Sequence, residues 1–109
     1  MTDDVLARVR AARTRAWETG IELDRVWRIA QVDPSFAKKL EDQDAVVEQA
    51  MDELRDALTL GGVAPRPTRD EAVVDLMKWG VDEGLMSTSQ YDAWLANPLE
   101  PQGGDPYRQ

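Results

Sequence analysis

Between Thr68 and Leu95 the chain reads TRDEAVVDLMKWGVDEGLMSTSQYDAWL. Its first half leaves a helix almost no face for solvent. Ala72, Val73, Val74, Leu76, Met77, Trp79, Gly80 and Val81 sweep more than half of a helical circumference. Only Glu71, Asp75, Lys78 and Asp82 form a polar stripe, with Lys78 placed to pair with Asp75 and Asp82. An apolar arc this wide needs neighbours on two sides, so the segment predicts a bundle with this helix at its centre. Gly80, on the apolar side, permits close approach of another helix.

The punctuation around this helix is equally direct. Thr68-Arg69-Asp70-Glu71 is a capping box, with Thr at the cap and Glu three residues on. Gly84 reads as the left-handed residue that stops the helix, and Leu85 as the apolar contact after it. Ser87-Thr88-Ser89-Gln90 is another capping box. It opens a short helix through Tyr91, Trp94 and Leu95 that Asn97-Pro98 ends. A C-terminal helical hairpin over 68–96 follows.

Upstream, Asp3 to Thr19 predicts a first helix with Val5, Val9, Ala12 and Ala16 on one face. Leu6 and Trp17 lie at the edge of that face, and Arg13 intrudes on it. Thr19-Gly20-Ile21-Glu22 fits a capping box and predicts a separate second helix to Val32, with Leu23, Val26, Trp27 and Ala30 inward. Asp33-Pro34 is a boundary and a start signal. From there a long amphipathic helix is predicted over about 34–60, striped by Phe36, Leu40, Val47, Met51, Leu54 and Leu58. Its partly heptad spacing resembles a coiled-coil seam. A break at Glu41-Asp42-Gln43-Asp44 is the alternative. Residues 59–67, TLGGVAPRP, read as a linker because two glycines stop a helix and two prolines prevent its restart. No alternating run is long enough for a strand. The expected fold is all-α: a small bundle of four or five helices forming a single helical domain over 1–96, with a flexible Pro/Gly-rich tail over 97–109.

Composition narrows the chemistry. The 109 residues include no cysteine and no histidine. A thiolate nucleophile, a cysteine metal site and the usual near-neutral acid–base group are therefore absent. A serine or threonine nucleophile lacks a histidine base, and the bundle di-iron motif lacks its histidines. Asp42-Gln43-Asp44 begins like a calcium loop, but Val47 stands where that loop needs glycine. The expectation is a protein that is not an enzyme and takes no cofactor or metal. An enzyme working through carboxylates alone is the least favoured class. Neither a signal-peptide core nor a membrane-length apolar run occurs, which predicts a cytoplasmic protein without membrane contact. Net charge is −8, with residues 1–32 at +1, 33–60 at −5 and 61–109 at −4. That balance disfavours direct nucleic-acid binding and serves solubility.

Two features suggest a binding surface. Asp44, Glu48, Asp52 and Asp56 recur at steps of four along the third predicted helix. On a helix they form an acidic ridge with neighbours about 6 Å apart. Such a ridge is either a solvated face, a set of partners for Arg8, Arg15, Arg25 or Arg28, or a mimic of DNA that occupies a partner's basic groove. Tyr91 and Trp94 lie near a helix end, where amphipathic rings serve protein contacts. The function expected is an assembly or adaptor module acting through protein–protein contacts. Its partner is another protein or a second copy, met through the third helix or through exposed Trp and Tyr. The alternative is an acidic inhibitor of a nucleic-acid-binding protein.

Two short resemblances add to this reading. Val81 to Tyr91, VDEGLMSTSQY, resembles the helix–Gly–turn–helix phrase of XkdX-like short phage tail proteins, without that pattern's Ile-Thr-Gly ending. It implies a phage or prophage origin. Ala30 to Phe36, AQVDPSF, with Leu40, is similar to the Asp-Pro-x-Phe helix of nitrile hydratase alpha subunits and related leader peptides. The cysteine metal motif of that enzyme is missing, so no activity carries over.

Overall fold

A computed structural model describes residues 3–96. The expectations for the tail over 97–109 lie outside the described residues. The fold is all-α. Helices α1 (Asp3–Ala30), α2 (Ala37–Ala57), α3 (Arg69–Asp82) and α4 (Thr88–Ala96) follow in order, with a 3-10 turn at Pro34–Phe36. The described residues contain no strand and no helix long and apolar enough to cross a membrane.

The two N-terminal helices expected from sequence are one helix of 28 residues. Thr19 does not cap a new start. Its hydroxyl donates back to the carbonyls of Arg15 and Ala16, at 2.8 and 3.1 Å. Glu22 pairs with Arg25 on the outer face instead of closing a capping box. A mid-helix glycine costs about 1 kcal/mol relative to Ala. Gly20 is nevertheless buried, and α2 runs alongside, with Gln43 Nε2 donating to the Thr19 carbonyl at 3.0 Å. Packing along the whole length outweighs the local stop signal.

Asp33 does cap the start of the turn that follows α1. Its carboxylate accepts from the Ser35 N–H and hydroxyl at 3.0 and 2.7 Å. These two bonds hold the Asp33 carboxyl below its ordinary value, the hydroxyl contributing more. The chain then makes a 3-10 turn before α2, so the long helix predicted over 34–60 spans 37–57 and α1 is the longest. The acidic run 41–44 does not break α2. Val47, Met51 and Leu54, three of the predicted stripe, are buried within this chain against α1 and α3.

Beyond α2, Leu60, Gly61 and Gly62 take left-handed angles and turn the chain back. The linker is tied to α2 by Arg55 Nε donating to the Pro67 carbonyl at 2.9 Å. Helix α3 then crosses both long helices. Arg13 of α1 grips Asp75 of α3 through two bonds, at 3.0 and 2.8 Å. That explains the arginine on an apolar face, and it replaces the expected Lys78–Asp75 pair. The core lies where α1, α2 and α3 meet, around Ala16, Trp17, Ala50, Leu54, Ala72, Leu76 and Met77.

Helix α3 ends in a Schellman motif. The Leu85 N–H donates to the Gly80 carbonyl at 2.8 Å and the Gly84 N–H to that of Val81 at 3.1 Å. Gly84 stands at φ +75°, a left-handed angle that a side chain disfavours. The apolar contact after it differs from expectation. Gly80 occupies the place that such a residue would meet and has no side chain to offer, so Leu85 stays 48% exposed and Met86 enters the core. Ser87 and Gln90 form the capping box that starts α4, with bonds of 2.8 and 3.1 Å.

The Thr68 capping box is complete. The Glu71 carboxylate accepts the Thr68 N–H at 2.9 Å, and the Thr68 hydroxyl accepts the Glu71 N–H at 3.2 Å. The backbone bond, with help from the Thr68 side chain, holds the Glu71 carboxyl below its ordinary 4.5. A depressed folded-state value stabilises the fold fully above the unfolded-state value, and the benefit is lost as pH falls through the folded one. Glu71→Gln is therefore expected to lower the urea midpoint at pH 7. The gap to the parent should narrow as pH falls through the lowered folded-state value, because the Glu71 carboxyl then becomes neutral like the Gln side chain. A gap that widens in acid contradicts this account of the cap.

Candidate interaction site

The acidic ridge lies on the outer side of α2, with all four carboxylates exposed, but it is not a bare anionic stripe. Arg69, at the start of α3, holds Glu48 through bonds of 3.0 and 2.6 Å. Arg66 of the linker bonds Asp56 at 2.7 Å and lies 3.9 Å from Asp52. Arg55 also reaches Asp52, at 3.5 Å. The Glu48 bond is the main reason that the Arg69 guanidinium holds its proton more tightly than usual, with burial opposing. Asp44 has no ion pair among the described residues and adds its charge to the field at Arg69. Exposed pairs of this kind contribute at most about 1 kcal/mol each. Together they fasten the linker and the start of α3 to α2.

Of the arginines that sequence offered as partners for the ridge, only Arg15 reaches α2, and it meets Glu53. Arg25 and Arg28 pair within α1, with Glu22 and Asp24. Tyr91 is half-buried and packs against the core from α4. The Trp94 side chain lies outside the described residues. The ridge and Tyr91 therefore sit on different elements, the ridge on α2 and Tyr91 on α4.

A different surface is concave. Between α1 and the end of α3 runs an open groove of about 600 Å³. Helix α1 supplies Arg10, Thr14, Trp17, Glu18 and Ile21; α3 and its turn supply Trp79, Glu83 and Leu85. The indoles of Trp17 and Trp79 meet edge to face, with ring centroids 6.2 Å apart and planes at 71°. This geometry suits the opposite polarity of ring face and ring edge. Trp17 is buried, whereas Ile21 and Leu85 stand 46% and 48% exposed at the rim. The rim charges are uncompensated: the side chains of Arg10, Glu18 and Glu83 make no ion pair or hydrogen bond among the described residues. Seven other arginines each hold a carboxylate.

Sequence reasoning missed this groove because it divided α1 at Thr19. Read as one helix, Arg10, Thr14, Trp17 and Ile21 recur at steps of four, three and four along one side. That was the available signal. Chemically the groove offers an apolar floor with charges at its margin, which suits a protein surface. The described residues contain no cluster of three or more acidic side chains that could hold a metal ion. Compared with known proteins, the chain matches no family model, no curated protein and no solved structure.

Proposed function

We propose that this chain is a non-enzymatic assembly module that works through protein–protein contact, with the α1–α3 groove as its contact face. The observation that carries this is the groove's rim. Two large aliphatic side chains and three charges stand without partners there, on a molecule whose other arginines are mostly paired. Apolar surface left open beside unpaired charge is what a specific contact covers. Val47, Met51 and Leu54 of the α2 stripe are already buried inside the chain, which moves the contact face from α2 to α1. A ridge whose carboxylates hold arginines gives the alternative, an acidic mimic of nucleic acid, no added support.

The test is self-association of the full chain by sedimentation, from low micromolar to near-millimolar concentration. The mass should rise above the 12.2 kDa of one chain. Ile21→Asp with Leu85→Asp should hold it at the monomer mass with helicity intact, since both side chains are already half exposed. A parent chain that stays monomeric throughout removes the self-assembly reading.

A further inference from the structure

The outer side of α1 is complementary to itself in reverse. Asp3, Ala7, Arg10, Thr14, Glu18, Ile21 and Arg25 lie along one stripe, and all but the half-buried Thr14 are exposed. Taken from Thr14 outward in both directions, that stripe pairs Arg10 with Glu18, Ala7 with Ile21 and Asp3 with Arg25. Each pair is either opposite in charge or small against large. A helix with this property fits a second copy of itself running antiparallel about a two-fold axis at Thr14. In such an isologous contact, residue i meets j and j meets i. Ala7, with Ala11 also exposed next to the stripe, lets the two backbones approach to about 8 Å.

The groove supplies the second half of the fit. Glu18 and Glu83 both line it, and neither has a partner among the described residues. An arginine arriving opposite Glu18 enters between two unpaired carboxylates. In the antiparallel register the arriving residue is Arg10 of the second copy, itself unpaired. Ile21 at the rim then meets Ala7 of the second copy, and Leu85 covers the side of the seam.

We infer that this protein forms a two-fold antiparallel dimer along α1, centred on Thr14, with reciprocal Arg10–Glu18 pairs seated in the groove. The inference rests on the groove as a contact face and adds the occupant and its register. Parallel pairing is disfavoured because it sets Arg10 beside Arg10 and Glu18 beside Glu18, and like charges facing across a contact repel.

Charge exchange tests the register. Arg10→Glu and Glu18→Arg should each weaken dimerisation at least about tenfold, because each puts like charges face to face. The double variant restores the pairing with its polarity reversed and should return to within about threefold of the parent. Both positions are exposed, so circular dichroism of the monomers should not change. The absence of cysteine from the chain allows a second measurement. Under oxidised glutathione, Thr14→Cys should cross-link two copies, because only a residue at the two-fold axis meets itself within disulfide reach. Ala7→Cys should not. If the parent associates but the double variant stays weak, or Ala7→Cys cross-links as readily as Thr14→Cys, the antiparallel seam is wrong and the contact-module reading stands. A monomeric parent overturns the dimer and, with it, the self-assembly reading.

Discussion

Leu54→Ala should remove about 3–5 kcal/mol of stability, the upper part of the range for a buried leucine. Leu54 has no exposed surface and sits on α2 where α1 and α3 converge. Its loss deletes apolar contact with all three helices at once. The cavity left behind also has little means of closing. Ala16, Ala50, Ala57 and Ala72, all almost fully buried, already bring the helices close together. Short side chains have no rotamers with which to fill a neighbouring void, so relaxation would have to move backbone. A chain of this length has a total stability of about 5–15 kcal/mol, and the substitution consumes much of it. Urea unfolding should show a large fall in midpoint with an unchanged slope. Leu6→Ala, at a side chain 53% exposed, should fall within about 0.5 kcal/mol of the parent. If the two variants lose similar amounts, the core is not centred on the three-helix junction.

The local signals in this sequence were reliable where a helix end was decided by residues within a few places of it. Thr68 with Glu71, Ser87 with Gln90, Asp33 before Pro34 and Gly84 after α3 all do what their chemistry dictates. Thr19 shows the limit of that reasoning. The same four residues satisfy a capping box on paper and an uninterrupted helix in the fold. A threonine hydroxyl bonds equally to a forward N–H or a backward carbonyl. What decides is α2 lying alongside, a fact of tertiary structure. The counter-ions follow the same logic. A helical wheel shows that Asp52 and Asp56 face outward, but not that the linker returns Arg66 to them. Nor does it show that Arg13 lies under Asp75. The groove was hidden twice over, first by the division of α1 and then by the assignment of Leu85 to a contact that Gly80 cannot make.

Gly80 is also where the largest effect of adding atoms is expected. The sequence placed it on the buried face as a point of close approach, and the neighbour that approaches is the indole of Trp17. A Cβ built on Gly80 would lie 2.6 Å from Cη2 of that ring and closer still to Cζ3, well inside contact distance. Gly80→Val should therefore cost about 3 kcal/mol or more, at or beyond the usual limit for overpacking. The ring cannot retreat toward the core, which is filled by Met77 and Leu76. It can only swing into the groove, where it exposes apolar surface and breaks the edge-to-face pair with Trp79. Tryptophan emission of the folded variant should shift to the red as a result. Gly80→Ala separates crowding from backbone preference, because the two act in opposite directions. Alanine favours the helix by about 1 kcal/mol over glycine, but its methyl meets the same ring. In the parent the crowding should win, with a net loss of about 1–2 kcal/mol. In a Trp17→Leu background the ring is gone, and the same substitution should become stabilising by up to about 1 kcal/mol. That change of sign is specific to the Gly80–Trp17 contact. A Gly80→Ala effect that stays the same in both backgrounds would mean that Trp17 does not rest on Gly80, and that the floor of the groove is built differently.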